Sequence, residues 1–145
     1  MNNQIKIEMD ARSENVSLAR VVATAFITPL DPSVGEMSDI KTAVSEAVTN
    51  AIIHGYDGKA GTVSMDLSCN GREVTIVICD AGVGIEDVAG AREPLFTTKP
   101  EMERSGLGFT VMESFMDSVT VISTPGAGTR VTMSKKLENF GAENE

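Results

Sequence analysis

Two runs of alternating apolar residues meet at Asn70-Gly71, and this meeting limits what the chain can fold into more than any other feature of its sequence. Val63, Met65 and Leu67 alternate with polar neighbours before it; Val74, Ile76 and Ile78 alternate with Thr75, Val77 and Cys79 after it. Period-two alternation around an Asn-Gly pair is a strong β-hairpin signal. A two-residue turn at Asn70-Gly71 pairs Val63 with Ile78, Met65 with Ile76 and Leu67 with Val74, all on one side of the sheet. The opposite side is mostly polar, which predicts an antiparallel sheet covered by helices on one face only.

The covering helices are legible as well. Met37, Ile40, Val44, Ala47, Val48, Ala51 and Ile52 recur at three- and four-residue spacing, the apolar stripe of a long amphipathic helix. Asp31-Pro32-Ser33 supplies its start and Gly55 its end. Upstream, Ile5, Ile7 and Met9 predict a strand. Ser13 then caps a helix that turns Val16, Ala19, Val22, Ala23 and Phe26 inward and Arg20 toward solvent, with Pro29 beyond its end. A further helix is predicted over 109–116 and strands over 119–123 and 129–135. The expected fold is a two-layer α+β sandwich, with a single domain over 1–137 and a polar tail over 138–145 that frays.

Three short motifs then fall on this frame. Glu46, Asn50 and His54 are each four residues apart, so they stack along one strip beside the apolar stripe. Asp80 ends the second hairpin strand and, by alternation, points the same way as Ile76 and Ile78, toward the helices and toward Glu46 and Asn50. Asp80-Ala-Gly82-Val-Gly84 and Ser105-Gly106-Leu107-Gly108-Phe109 complete the set. Each alone is weak evidence; their order and setting point to ATP with magnesium. A buried carboxylate at Asp80 can accept from the exocyclic amine of adenine, while Gly82 and Gly84 let the backbone approach the base. Asn50 offers a neutral oxygen to magnesium, a hard cation that usually keeps waters and phosphate oxygens as its other ligands. Glu46 can take a proton from a hydroxyl or water attacking the terminal phosphate. The glycines at 106 and 108 precede a helix whose backbone N–H groups can hold phosphates. The polar, proline-flanked segment 94–104 reads as a lid.

These motifs, with Phe96-Thr97-Thr98-Lys99 and the later Gly128-Thr129, resemble the N box, G1 box, lid and G2 box of the GHKL ATPase and kinase superfamily. Ala11-Arg-Ser-Glu-Asn15, Ala19-Arg20, Ser45 through Tyr56, Pro94 through Glu101 and Glu103 through Gly106 are more closely similar to one branch, the anti-sigma F family of spore-forming bacteria. The resemblance runs from Ala11 to about Lys136. It implies the Bergerat ATP-binding fold, with a mixed, mainly antiparallel sheet and helices on one face. It also implies a serine kinase that holds a sigma factor of the sigma F type inactive and phosphorylates a serine of an anti-anti-sigma protein. Carried over residue by residue, Glu46 is the general base, Asn50 the magnesium ligand and Asp80 the adenine reader. Gly82, Gly84, Ser105, Gly106, Leu107, Gly108, Phe109 and Thr129 line ATP or ADP. Thr97, Thr98, Lys99 and Arg104 lie near the phosphates or in the lid, Arg20 contacts protein partners, and the chain forms a homodimer. The alternative is a stand-alone GHKL ATPase or a nucleotide-gated anti-sigma binder without kinase activity.

The remaining bounds agree with that expectation. A formal charge of -9 argues against direct nucleic-acid binding, which needs basic patches. No apolar run approaches the roughly 20 residues of a membrane span and the N-terminus is too polar for a signal peptide, so a cytoplasmic location is expected. The register above keeps Cys69 and Cys79 apart, and both read as reduced packing residues. His54, the chain's one histidine, reads as a helix-end or pocket-wall residue rather than a phospho-acceptor. Met112 and Met116 read either as core filling or as a surface near the lid.

Overall fold

A computed structural model describes residues 2–56, 59–83 and 108–138. In chain order the elements are β1 (Asn2–Asp10), α1 (Glu14–Ile27), a 3-10 turn (Thr28–Leu30), α2 (Val34–Asn50), a π-turn (Ala51–Gly55), β2 (Thr62–Asn70), β3 (Glu73–Asp80), α3 (Phe109–Phe115), β4 (Ser118–Thr124) and β5 (Gly128–Lys136). The strands form one sheet in the order β1-β2-β3-β5-β4. Every ladder among the described residues is antiparallel, in keeping with the mixed, mainly antiparallel sheet that was expected; no parallel pairing falls among these residues, and β5 runs antiparallel to both β3 and β4. No helix of the described residues is long and apolar enough to cross a membrane.

The core lies between the sheet and the helices. Val63, Met65 and Leu67 of β2, Val74, Ile76 and Ile78 of β3, and Val131 and Met133 of β5 are buried with Ala19, Ala23 and Ile27 of α1 and Ile40, Val44, Ala47 and Val48 of α2. Met112 and Met116 are buried in the same core, which decides for packing rather than surface. Among the described residues neither Cys69 nor Cys79 is in a disulfide.

The β2–β3 register differs from expectation. The loop is Gly71-Arg72, closed by Asn70 opposite Glu73, so Met65 pairs with Ile78 and Leu67 with Ile76. Gly71 takes φ 62 at the first loop position, a conformation that only glycine adopts cheaply. Arg72 is then free to donate to the carbonyls of Leu30 at 2.6 Å and Leu137 at 3.3 Å, tying the hairpin to the 3-10 turn and to the end of β5. The pairing has slipped by two residues. Side chains alternate with period two, so every residue keeps the face that was expected of it.

Helix α2 begins at Ser33, with Pro32 outside it. Ser33 Oγ accepts from the Glu36 N–H at 3.0 Å, and Glu36 Oε1 accepts from the Ser33 N–H at 2.8 Å, a reciprocal capping box. The second Glu36 oxygen accepts from the Glu138 N–H at 2.8 Å, so one buried carboxylate joins the helix start to the chain beyond β5. Burial alone would raise the Glu36 pKa. The N–H groups of Ser33 and Glu138, the Ser33 hydroxyl and the charge of Lys135 outweigh it and hold the group below the usual carboxylate range. A lowered folded pKa gives stability that is present above the ordinary carboxylate value and lost as pH falls through the folded one. Glu36→Gln is therefore expected to cost about 1–2 kcal/mol near neutral pH. Urea unfolding over a pH series will show the gap closing on acidification.

Candidate active site

The α2 helix and the end of β3 bring the predicted residues together. Asn50, Asp80, Phe109 and Thr129 all line one cavity, with Ala47, Ala51, His54, Gly55, Ile78 and Val131 completing its walls. Asn50 is buried at 7% exposure on the last turn of α2, and Asp80 stands opposite Thr129 in the β3–β5 ladder. Phe109 is buried at the start of α3.

Glu46 lies on α2 one helical turn before Asn50, with its carboxylate beside Gly108. A Cβ placed on Gly108 would run into its carboxylate, so the bare Cα of Gly108 is what lets α3 approach Glu46. Asn50 and Asp80 thus share the cavity wall, and the Glu46 carboxylate lies beside Gly108, the residue before the cavity-lining Phe109.

Asp80 is held closely by its neighbours. Burial pushes its carboxyl pKa up, against the opposing pull of the Gly82 and Thr129 backbone N–H groups. The Gly82 N–H donates to Asp80 Oδ1 at 2.9 Å. A Cβ on Gly55 would come within 2.8 Å of the same carboxyl group. The Gly55 carbonyl also accepts from the Val83 N–H at 2.8 Å. Gly55 reads in the sequence as the residue that ends the helix. In the structure the backbone widens into a π-turn over Ala51–Gly55, and that widening sets Gly55 against Asp80. It also interrupts the strip of four-residue spacing on which His54 was placed, although His54 still lines the cavity. No local pattern announces the contact of Gly55 with Asp80, because Asp80 comes from a strand that lies far along the chain.

Gly84, Thr97, Thr98, Lys99, Arg104, Ser105, Gly106 and Leu107, and with them the lid expected over 94–104, lie outside the described residues. So does most of the polar tail.

Arg20 lies toward the surface as expected, but it is not fully solvated. It is half-buried in a groove of about 470 Å³ between α1 and α2, with Lys41, Ser38 and Thr42 nearby. Its guanidinium donates to Ser17 Oγ at 3.1 Å and to Ser45 Oγ at 3.3 Å. Ser45 projects from α2 and catches a side chain that an isolated α1 would leave in water. The groove shares no residue with the cavity at Asp80.

Comparisons with known proteins place the chain in a family. The family described as histidine kinase-like ATPase domain matches residues 9–135. The chain is 54% identical over 139 residues to an anti-sigma F factor of Clostridium kluyveri, covering 96% of this chain and 98% of that protein. It is 52% identical over 137 residues to an anti-sigma F factor of Clostridium acetobutylicum, covering 94% and 96%. Among solved structures, that of the RsbU and RsbW domains of Rv1364c from Mycobacterium tuberculosis superposes with a TM-score of 0.67 at 18% identity, covering 94% of this chain and 33% of that one. The catalytic domain of the histidine kinase ThkA gives a TM-score of 0.58 at 16% identity, covering 92% and 96%. These two likenesses concern the fold. The chain belongs to the histidine kinase-like ATPase domain family and, within it, to the anti-sigma F factors.

Proposed function

We propose that the protein binds and inhibits a sigma factor of the sigma F type and, as an ATP-dependent serine kinase, phosphorylates and so inactivates the anti-anti-sigma protein that opposes it. The observation that carries the reading is the convergence of Asn50 and Asp80 on one cavity, with the Glu46 carboxylate against Gly108 one turn away. Relatives at 52–54% identity that bear the name anti-sigma F factor support the choice of partner. In this reading Asp80 accepts from the adenine amine. Glu46 accepts the proton of the attacking serine hydroxyl. The serine oxygen bonds to the γ-phosphorus as the bond from that phosphorus to the β–γ bridging oxygen breaks, and ADP leaves.

Magnesium fits the donor set. Among the described residues no three His, Cys, Asp or Glu side chains are grouped to hold a metal ion. One neutral oxygen from Asn50, with phosphate oxygens and waters, is the sparse protein ligation that magnesium favours. Bound there, the ion would neutralise charge on the phosphates. The same reading makes the protein a cytoplasmic homodimer without direct nucleic-acid contacts.

Arg20 is proposed as a partner contact. Arg20→Ala is expected to weaken capture of the sigma factor or of the anti-anti-sigma protein about tenfold, the loss of one charge-assisted contact. ATP affinity should stay unchanged, because the groove and the cavity are separate. Surface plasmon resonance with both partners, beside ATP titration, checks both halves; unaltered capture of both partners refutes the assignment.

The decisive experiment incubates pure protein with γ-labelled ATP, magnesium and a candidate anti-anti-sigma protein. Label on a substrate serine is the expected result. Free phosphate without labelled protein would instead favour a hydrolase in which Glu46 activates water.

A further inference from the structure

Three consecutive backbone amides after Asp80 are each held by a different acceptor. The Ala81 N–H donates to Tyr56 Oη at 2.8 Å, the Gly82 N–H to Asp80 Oδ1 at 2.9 Å, and the Val83 N–H to the Gly55 carbonyl at 2.8 Å. Two of these acceptors, Gly55 and Tyr56, are neighbours at the end of the π-turn. Tyr56 is the chain's only tyrosine. Its hydroxyl also donates to the Thr62 carbonyl at 2.6 Å, so it bridges the first residue of β2 and the first residue after β3. Gly61 leaves room for the ring: a Cβ there would meet ring atoms, with Cζ at 2.5 Å. The Gly61 carbonyl in turn accepts from the Ala11 N–H at 2.9 Å, which ties this corner to the end of β1.

We infer that Tyr56 is a positioning residue for adenine recognition, holding through its hydroxyl the turn that aims the Asp80 carboxylate; the inference rests on the reading of this cavity as an ATP site. Tyr56 touches neither the cavity nor a reacting group. It acts through backbone. Ala81 is exposed, so water can replace a lost hydroxyl at little cost to stability, whereas the angle at which Asp80 meets a base has no such substitute.

Tyr56→Phe keeps the ring and removes only the bridge. The expected result is about a tenfold rise in the ATP Kd, with the preference for ATP over GTP falling by a similar factor, kcat at saturating ATP retained and Tm close to wild type. A folded variant with unchanged ATP Kd and unchanged ATP-to-GTP preference overturns the inference. So does a variant in which Tm falls while the nucleotide preference stays put, since that marks a purely structural role. Should Tyr56→Phe fail to fold, Gly61→Ala displaces the ring from its other side and is expected to weaken ATP in the same way; wild-type affinity there overturns the inference. Hydrogen exchange on the wild-type protein supplies an independent measure, because an Ala81 amide that exchanges as fast as an open loop amide is not held by Tyr56. Wild-type protein that binds no ATP overturns the reading of the cavity itself, and normal wild-type binding with an unaffected variant overturns only the role of Tyr56.

Discussion

Glu46→Ala is expected to lower phosphoryl transfer by about 10²–10⁴-fold, the usual worth of a positioned general base, while leaving ATP binding within about twofold. The geometry separates the two effects. Glu46 has its carboxylate against Gly108 and is not among the residues lining the cavity with Asp80 and Asn50. Its removal takes away a proton acceptor and no contact to the base. Labelled-ATP transfer beside calorimetric ATP titration tests this directly. A variant that loses ATP affinity along with activity would show that Glu46 helps to bind nucleotide, and the role assigned to it would fall. Sigma binding should survive as well, because Glu46 is not among the residues lining the α1–α2 groove around Arg20.

Asp80→Asn is expected to act in opposite directions on binding and on folding. An ionised carboxylate accepting from the adenine amine makes a charge-assisted bond worth about 1.5–3 kcal/mol; its loss corresponds to roughly a ten- to hundredfold weaker ATP Kd. Stability should move the other way. Burial raises the Asp80 pKa above its ordinary value, so the folded chain holds that proton more tightly than the unfolded chain does. The resulting stability is complete below the ordinary carboxylate value and is lost as pH rises through the folded value. Near neutral pH the ionised group therefore opposes folding, and asparagine relieves that cost. Calorimetry with ATP and urea unfolding without it, both at neutral pH, will resolve the two signs. An Asp80→Asn protein that is less stable than wild type would mean that the Gly82 and Thr129 amides contribute more than burial costs.

How much was visible before folding varies residue by residue. The inward face of α2 was legible at Ile40, Val44, Ala47 and Val48, since helical spacing repeats over the whole element. Asp80 was placed on the core side of β3 by counting in twos from Ile76. Ser33 could be read as part of a helix start, and the structure selects it over Asp31 through the reciprocal bonds with Glu36. Gly55 was read for its local effect and missed for its contact with Asp80. Tyr56 stood only at the end of a family-like stretch, and nothing in the sequence pointed to its contacts, because its partners are Thr62 and the backbone at Ala81.

The sequence by itself determined the faces: which residues of each strand and helix look inward, and hence that Glu46, Asn50 and Asp80 approach one region. Facing follows from periodicity, and a period survives a slip of the hairpin by two residues. Tertiary structure alone decided the neighbours. The loop at Gly71-Arg72 chose the register, the π-turn brought Gly55 to the Asp80 carboxyl, and Ser45 turned Arg20 from a solvated charge into part of a groove. Such contacts depend on how far-separated elements close on one another with least strain, and no local repeat in the chain records that choice.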